Sequence, residues 1–377
     1  MKRILRIGMD VHSTNYTLCA IEPRFDGDDI IYANVKVTPD PDNIVQFIEK
    51  LKSKIKDECD ILCGYEAGCL GYSLYHQLHA HGIDCVILAP TTMMTKPGKR
   101  IKTDRRDARL ISKCLAFHTY SPVYIPTEVD DAVKEYIRMR DDANSALARV
   151  KQQIIAFCIR HGKIHDGKSY WTNKHLEWLS SLDLGNKILS EVLQEYLIRY
   201  YQLREQVDMY DMRINELAQA EPYRQKVEKL GCFRGIAAHT ALSFCVEVGD
   251  FRRFATAQQF ASYLGLVPGE CSSGDKQQYT GITKAGNSHL RKLLVETAQV
   301  FGRSATKSGK SVALKERQAK CDSLTVAYAD KANARLKKKY FKIAMRSKVN
   351  IAKTAVAREM ACFIWGMMTD NISYRMA

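Results

Sequence analysis

Two carboxylates stand three residues apart inside the basic segment 99–110, which reads K-R-I-K-T-D-R-R-D-A-R-L. If Thr103 caps a helix that begins here, Asp104 and Asp107 lie on one face, a turn apart. Hard cations such as Mg²⁺ bind carboxylate oxygens and complete their shell with substrate phosphates. The simpler alternative is an ordinary helix start, where the dipole favours acids and the arginines pair with them. Further acids are needed to decide between the two.

A second candidate site lies in a polar segment of the last third of the chain. Ser273 precedes a glycine in S-S-G-D-K (272–276), and G-I-T-K-A-G-N (281–287) follows before a basic helix. Glycines, lysines and a helix N-terminus so close together are the parts of a phosphate-binding loop. A serine in such a loop is ordinarily only a turn residue. As a nucleophile it would need activation by a base or a metal.

The elements that must position the first acid pair are predicted from hydrophobic periodicity. Short strands alternate with amphipathic helices in the order β-β-β-α-β-α-β-α, which is the order of the ribonuclease H-like α/β fold. The strands are predicted at 4–11, 16–21, 30–37, 60–65 and 83–88, and the helices at 42–54, at 70–81 and from 104 onwards.

Two further acids, Asp10 and Glu66, directly end predicted strands. Active sites of α/β sheets gather at the carboxyl ends of strands. We therefore expect Asp10, Glu66, Asp104 and Asp107 to converge on one metal site.

The composition limits the partners. The 377 residues include 57 Lys and Arg against 42 Asp and Glu, a formal charge of +15. Such an excess indicates a polyanionic partner, either nucleic acid or a negatively charged membrane surface. We expect no signal peptide and no membrane-spanning segment. The 12 cysteines include no CxxC pair and are interpreted as core residues in a reducing compartment. These features predict a cytoplasmic protein bound to nucleic acid, which in a bacterium would be associated with the nucleoid.

The middle of the chain, 126–222, is predicted to be a helical connector. Its second helix carries an apolar heptad series typical of a coiled-coil seam. An intramolecular helical hairpin explains the series as well as a dimer interface does. The seam positions are Leu189, Leu193, Tyr196, Tyr200, Leu203, Val207, Tyr210, Ile214 and Leu217.

The C-terminal tail is basic and helical. Residues 331–348 hold eight Lys or Arg side chains and no acid. A solvated charged face is the usual explanation of such a run, but the lack of any compensating acid favours phosphate contact through Lys337, Lys338 and Lys339.

Together, these motifs resemble a bacterial insertion-sequence transposase family that includes the Piv DNA invertase. The segments I-G-M-D (7–10), Y-E-A-G (65–68) and K-T-D-R-R-D-A-R (102–109) match its D-E-D-D signature. The run S-G…G-x-[IST]-K-x-G-N…L-R of its transposase domain is present almost in full. Cys69 departs from the Thr or Ser of many relatives.

The resemblance implies a RuvC-like domain (1–125), a helical coiled-coil connector (126–222) and a mainly α-helical transposase domain (223–377). It implies that the four acids hold Mg²⁺ or Mn²⁺, and that Ser273, with Ser272 as the neighbouring alternative, forms a phosphoserine link to DNA. It also implies donor and target DNA, a structured non-coding guide (bridge) RNA and a dimer or tetramer. The residues expected to bind nucleic acid are Lys99, Arg100, Lys102, Arg105, Arg106, Lys276, Lys284, Arg291, Lys337, Lys338 and Lys339.

Three other classes of protein share some of these sequence features. A RuvC-like nuclease or junction resolvase would use the four acids alone, without Ser273. An actin-like ATPase needs a second glycine-rich phosphate loop, and none stands near Glu66 or Ala89. An inactive nucleic-acid-binding relative is disfavoured because the acids and the serine are all present.

Overall fold

The computed structural model of the protein describes residues 2–24, 28–93, 103–270, 278–303 and 309–372. Contacts divide the chain into two compact units, Met1–Ile125 and Pro126–Ala377. The predicted connector and the predicted C-terminal domain both fall within the second unit.

A five-stranded sheet of order β3-β2-β1-β4-β5 forms the centre of the first unit. β1 pairs antiparallel with β2 and parallel with β4, and β5 continues the parallel half. The predicted order of elements is confirmed, and the arrangement is compatible with a ribonuclease H-like domain. The strands are β1 Arg3–Val11, β2 Tyr16–Glu22, β3 Ile30–Val37, β4 Cys59–Glu66 and β5 Cys85–Leu88.

Helices cover both faces of this sheet. On one face, α1 (Pro41–Ile55) and α2 (Ser73–Ala80) bury a cluster of apolar residues that includes Met9 and Leu18. On the other face, α3 (Asp104–Ala116) packs on β1 and β2 through Ala108. The alternation of side chains along a strand explains this division, since successive residues project to opposite faces.

The second unit is mainly helical and is built around a large apolar core. A short hairpin, β6–β7, precedes α10, and a 3₁₀ turn lies at Phe251–Arg253. No described helix is long and apolar enough to cross a bilayer. The elements are α4 Glu128–Arg160, α5 Asn173–Ser180, α6 Lys187–Gln219, α7 Arg224–Gly231, α8 Ala238–Val248, α9 Ala257–Tyr263, β6 Pro268–Glu270, β7 Tyr279–Ile282, α10 Ser288–Arg303, α11 Val312–Gln318, α12 Ser323–Ala344 and α13 Val349–Met368.

The heptad seam of α6 packs within the chain. Its ring contacts pair Tyr210 with Tyr136 and Tyr196 with Phe157, so α4 and α6 run antiparallel. Val207 is buried in a cluster to which α4, α5 and α6 all contribute. The seam is therefore occupied inside one chain, as the intramolecular alternative predicts, and these contacts give no support to a coiled coil between chains.

Candidate metal site and hairpin anchor

The carboxyl ends of β1 and β4 lie at the same level of the sheet. Met9 is the register partner of Tyr65, so the next residues along the two strands are Asp10 and Glu66. On the other side, Asp10 lies opposite Thr17 of β2. The sheet therefore sets the two predicted acids beside each other at one edge.

α3 brings the other acid pair to this region. It begins at Asp104, as predicted, and Asp104 and Asp107 both lie in its first turn. Thr103 stands at the N-cap position, but its side chain makes no capping hydrogen bond. Its carbonyl oxygen accepts hydrogen bonds from the amides of Arg106 (2.8 Å) and Asp107 (3.0 Å). The expected side-chain cap is thus replaced by the ordinary backbone bonds of a helix start.

Three side chains in this region could share one cation. Ligand atoms of Asp10, His12 and Asp104 all lie within 4.8 Å of one another. The carboxylates of Glu66 and Asp107 are not in this group. Of the four acids expected to converge, the structure brings two together, beside a histidine that the sequence did not suggest.

The charges around the site are unevenly balanced. Burial raises the pKa of Asp10, and the nearby carboxylates of Asp104 and Asp107 raise it further, against the opposite effect of His12. Lys36 lies 3.2 Å from an Asp104 oxygen, and its hydrogen bond lowers the pKa of that acid. The carboxylates of Asp104 and Asp107 therefore place negative charge beside Asp10, and a bound cation would offset it.

The donor set suits a divalent metal. Asp10 and Asp104 supply carboxylate oxygens, the ligands that Mg²⁺ and Mn²⁺ prefer. The buried hydroxyl of Thr17, opposite Asp10, has no hydrogen-bond partner among the described residues and could bind a metal-bound water. His12 Nε2 lies 3.4 Å from Asp10 Oδ2 and is better placed to orient that carboxylate than to bind Mg²⁺.

The second candidate site lies at the β6–β7 hairpin. Several predicted site residues lie outside the described residues: Ser272, Ser273 and Lys276 in this segment, and Lys99, Arg100 and Lys102 in the first unit. The base of the hairpin is described. Lys284 N donates to Gly265 O (3.1 Å), and Asn287 N donates to Tyr263 O (2.9 Å).

This base allows little substitution. Gly286 has φ +65°, and a Cβ there would lie 2.0 Å from the Tyr263 carbonyl oxygen. Arg291 Nη1 contacts the carbonyl oxygens of Leu264 and Ala285, each at 2.9 Å. Arg291 was expected to bind nucleic acid, but these two hydrogen bonds show that it stabilises the base of the hairpin.

A partly buried cluster of ionic side chains supports the same base. His289 Nε2 lies 2.8 Å from Asp141, and its Nδ1 lies 3.4 Å from Glu247. Glu247 also accepts hydrogen bonds from Arg138 (2.9 Å) and Asn287 (2.9 Å). Asn287 is shared between this cluster and the start of α10, where its Oδ1 accepts from the Leu290 amide at 3.0 Å.

Charge is well compensated in this cluster. Burial lowers the pKa of His289, but its contacts with Asp141 and Glu247 outweigh burial and raise it to about 9. Burial raises the pKa of Glu247, but His289 and Arg138 outweigh burial and lower it to about 2. At neutral pH the cluster is therefore a set of charged, paired groups.

The remaining residues expected to bind nucleic acid lie in varied surroundings. Arg105, Arg106 and Lys284 are exposed. On α12, Lys338 is exposed and Lys337 half-buried, whereas Lys339 Nζ lies 2.6 Å from Glu359. The three neighbouring lysines of the tail are thus not equivalent.

Comparison with known proteins identifies the family. Residues 228–317 match the profile described as Transposase IS116/IS110/IS902 family, and residues 7–159 match the DEDD transposase profile of the IS110 group. The chain is 32% identical over 365 residues to the putative transposase y4qE of Sinorhizobium fredii, covering 97% of this chain and 88% of that protein. It is 33% identical over 347 residues to the transposase for insertion sequence element IS1533 of Leptospira borgpetersenii, covering 90% and 96% respectively. This chain belongs to the IS116/IS110/IS902 transposase family.

Family membership makes the protein a DNA-cutting and rejoining enzyme, and the two profiles contain the two candidate sites. The DEDD profile includes all four acids, and the second profile includes the β6–β7 hairpin and α10. The DEDD type and the group around Asp10 together indicate use of a divalent metal.

Sequence reasoning missed two residues of this transposase's candidate metal site, His12 and Lys36. His12 had a signal, since it follows Asp10 by two residues and strand periodicity can return it to the same face. Lys36 had none. It reaches Asp104 from β3, whose pairing with β2 shifts register between Ala20 and Ile21, and such an irregularity cannot be read from hydrophobic periodicity.

Proposed function

We propose that this chain mobilises an insertion sequence, cutting and rejoining DNA strands with Mg²⁺-assisted chemistry and a phosphoserine intermediate. The observation that carries the proposal is the approach of Asp10 and Asp104 within 4.8 Å, inside the segment that matches the DEDD transposase profile. A relative that covers most of this chain is a transposase for an insertion sequence element.

In this proposal the acids of the first unit hold the cation. Asp10 and Asp104 provide the central ligands, and Glu66 and Asp107 provide charge from the neighbouring strand end and helix turn. His12 orients Asp10, and Lys36 pairs with Asp104 and competes with the cation for its carboxylate. When bound, Mg²⁺ supplies polarisation of the scissile phosphate and stabilises charge on its oxygens.

Ser273 is the proposed nucleophile, with Ser272 as the neighbouring alternative. Its oxygen forms a bond to phosphorus, the bond from phosphorus to the departing sugar oxygen breaks, and that oxygen receives a proton. A sugar hydroxyl of another strand then attacks the phosphoserine and releases the serine. The number of phosphodiester bonds is conserved, so strands are exchanged without an external energy source.

The partners in this proposal are donor and target DNA, a structured guide (bridge) RNA of the element, and further copies of the chain in a dimer or tetramer. The +15 charge supports polyanionic partners in general. The alternative function is a RuvC-like nuclease or junction resolvase without a serine intermediate, which the DEDD profile also fits.

The test of the metal site is Asp104→Asn, which removes one negative charge and keeps the shape of the side chain. We expect strand cleavage in Mg²⁺ to be lost and DNA binding to be retained. Asp42→Asn is the matched control, because Asp42 also lies in the first turn of a helix of the same unit. Recombination by Asp104→Asn at the wild-type rate would exclude the proposed site.

A further inference from the structure

A groove of about 500 Å³ lies between α12 and α13. Four basic side chains line it: Lys331, Arg335 and Lys339 from α12, and Arg358 from α13. The only acid among its lining residues is Glu359. A cavity of this volume is large enough for a nucleotide-sized ligand, and its surplus of positive charge favours an anionic one.

Glu359 holds two of these cations side by side. Its side chain is 11% exposed, and its two oxygens pair separately with Arg335 Nε and with Lys339 Nζ, the latter at 2.6 Å. Two adjacent cations would otherwise repel each other, so the shared carboxylate fixes their spacing. Because the bond to Glu359 uses Nε, the terminal Nη groups of Arg335 are not needed for it. Arg335 is 70% exposed, which leaves these groups accessible to a ligand.

An aromatic ring lies beside the cations. Phe363 is half-buried, and Tyr328 packs edge-on against it with ring centroids 5.8 Å apart. The Tyr328 hydroxyl donates to the Phe363 carbonyl oxygen at 3.2 Å. This arrangement depends on Gly366, where a Cβ would lie 2.4 Å from that hydroxyl. Arg335 Cζ lies 6.0 Å from the Phe363 centroid, so the cation and the ring form one surface.

We propose that the groove between α12 and α13 binds one unstacked nucleotide of a single-stranded nucleic acid. Its phosphate contacts Arg335, Lys339 and Arg358, and its base lies against Phe363. A duplex keeps its bases stacked inside, so a base can reach a protein ring only where the strand is single. The inference rests on the proposed function only in that this chain handles nucleic acid.

Binding by the full chain is measured with short fluorescent oligonucleotides of single-stranded DNA, single-stranded RNA and duplex DNA. We expect Arg335→Ala with Lys339→Ala to weaken single-strand binding by about tenfold or more. The matched control is Lys187→Ala with Arg199→Ala, which removes the same charge from exposed positions of α6 and leaves the groove untouched. We expect an effect of about twofold or less from the control. Equal losses in the two pairs would overturn the proposal in favour of general electrostatic attraction.

The base contact is tested by Phe363→Leu, which keeps an apolar side chain against Tyr328 and removes the ring. We expect about tenfold weaker single-strand binding and unchanged duplex binding. Photocrosslinking with an oligonucleotide that carries 5-iodouracil should label the wild-type segment around Phe363, and labelling confined to other segments would contradict the assignment. The stronger of the DNA and RNA signals identifies the source of the strand.

If Arg335→Ala with Lys339→Ala unfolds the protein, Arg358→Ala still tests the groove. Arg358 is exposed, so its substitution should leave the fold intact and weaken single-strand binding. Unchanged binding by both Arg358→Ala and Phe363→Leu would refute the groove. Oligonucleotide binding is measured without cleavage, and we expect Asp104→Asn to leave binding in the groove unchanged. The proposal for the metal site and the proposal for the groove can therefore be refuted independently.

Discussion

Ser112 Oγ accepts a hydrogen bond from the Gly8 amide at 3.0 Å, across the contact between α3 and β1. The same hydroxyl lies 2.7 Å from the Cys19 carbonyl oxygen of β2, to which it donates. One buried side chain thus ties two strands to the helix whose first turn carries Asp104. The distance between Asp104 and Asp10 depends on how closely this helix approaches the sheet.

Substitution of Gly8 tests this dependence. In Gly8→Ala the new Cβ would lie 2.1 Å from the Ala108 carbonyl oxygen, which is backbone and cannot rotate away. We expect α3 to be displaced, the free energy of unfolding to fall by about 1–3 kcal/mol or more, and Mn²⁺ affinity to drop. The control is Gly64→Ala, whose Cβ would lie 2.9 Å from the flexible ends of Leu88 and Leu115 and 3.1 Å from the Val86 carbonyl oxygen, so it meets no backbone atom as closely as the Cβ at Gly8 does. A normal affinity in Gly8→Ala would show that the close approach is not required.

Lys36 should compete with the cation for Asp104. Replacing it in Lys36→Met removes a positive charge 3.2 Å from the carboxylate, so we expect Mn²⁺ to bind about three- to tenfold more tightly, measured by calorimetry. Lys113→Met is the matched control, because Lys113 lies on α3 but pairs with Asp29. Weaker Mn²⁺ binding in Lys36→Met would instead show that Lys36 is needed to orient Asp104.

The His289 cluster predicts a pH dependence of stability. The folded pKa of His289, about 9, lies above its ordinary 6.5, so its stabilisation is complete below pH 6.5 and is lost as pH rises through 9. The shift corresponds to on the order of 3 kcal/mol. Glu247 behaves oppositely: its pKa of about 2 gives stabilisation above pH 4.5 that is lost as pH falls through 2.

The measurement is urea unfolding between pH 6.5 and 9.5, followed by tryptophan fluorescence. The three tryptophans, Trp171, Trp178 and Trp365, all lie in the second unit, so the signal reports that unit. Wild-type protein should lose stability over this range, and His289→Gln should be less stable throughout with a flatter profile. The control is His161→Gln, at an exposed position of the same unit, and its pH profile should follow that of the wild type.

The α6 seam predicts an effect on folding rather than on assembly. Val207→Asp places a charge in a position that is 6% exposed and should lower the free energy of unfolding by about 3 kcal/mol or more. Met212→Asp, at a residue 62% exposed on the same helix, should cost about 0.5 kcal/mol or less. A smaller particle mass by light scattering, with unchanged stability in Val207→Asp, would revive the seam as a contact between chains.

Ser273 separates the recombinase from the metal-only nuclease. After reaction with a suicide DNA substrate and denaturation, mass spectrometry should find DNA attached to Ser273. The adduct should disappear in Ser273→Ala and persist in Ser272→Ala. Cleavage by Ser273→Ala at the wild-type rate, with no adduct in either variant, favours the nuclease.

Local patterns predicted the elements of the first unit well, because alternating and helical periodicities reflect which face each element buries. Asp10 and Glu66 could be set at strand ends for the same reason. The ionic cluster could not be foreseen. His289 lies in the segment predicted as a basic helix, but its partners, Asp141 and Glu247, lie far away in sequence on α4 and α8. Such contacts depend on tertiary packing, which periodicity does not encode. The same holds for the seam of α6. Its heptads predict an apolar stripe, but they do not predict whether a helix of the same chain or of another chain covers that stripe.

Asn287 must donate and accept at once. Its Oδ1 accepts from the start of α10 and its Nδ2 donates to Glu247. An aspartate of the same size could only accept at neutral pH, and would set a second negative charge against Glu247. Asparagine and aspartate codons differ by a single transition, so the anchoring of the hairpin is one base change from failure. That single change would keep an acceptor for the Leu290 amide at the start of α10 and remove the donor that binds Glu247.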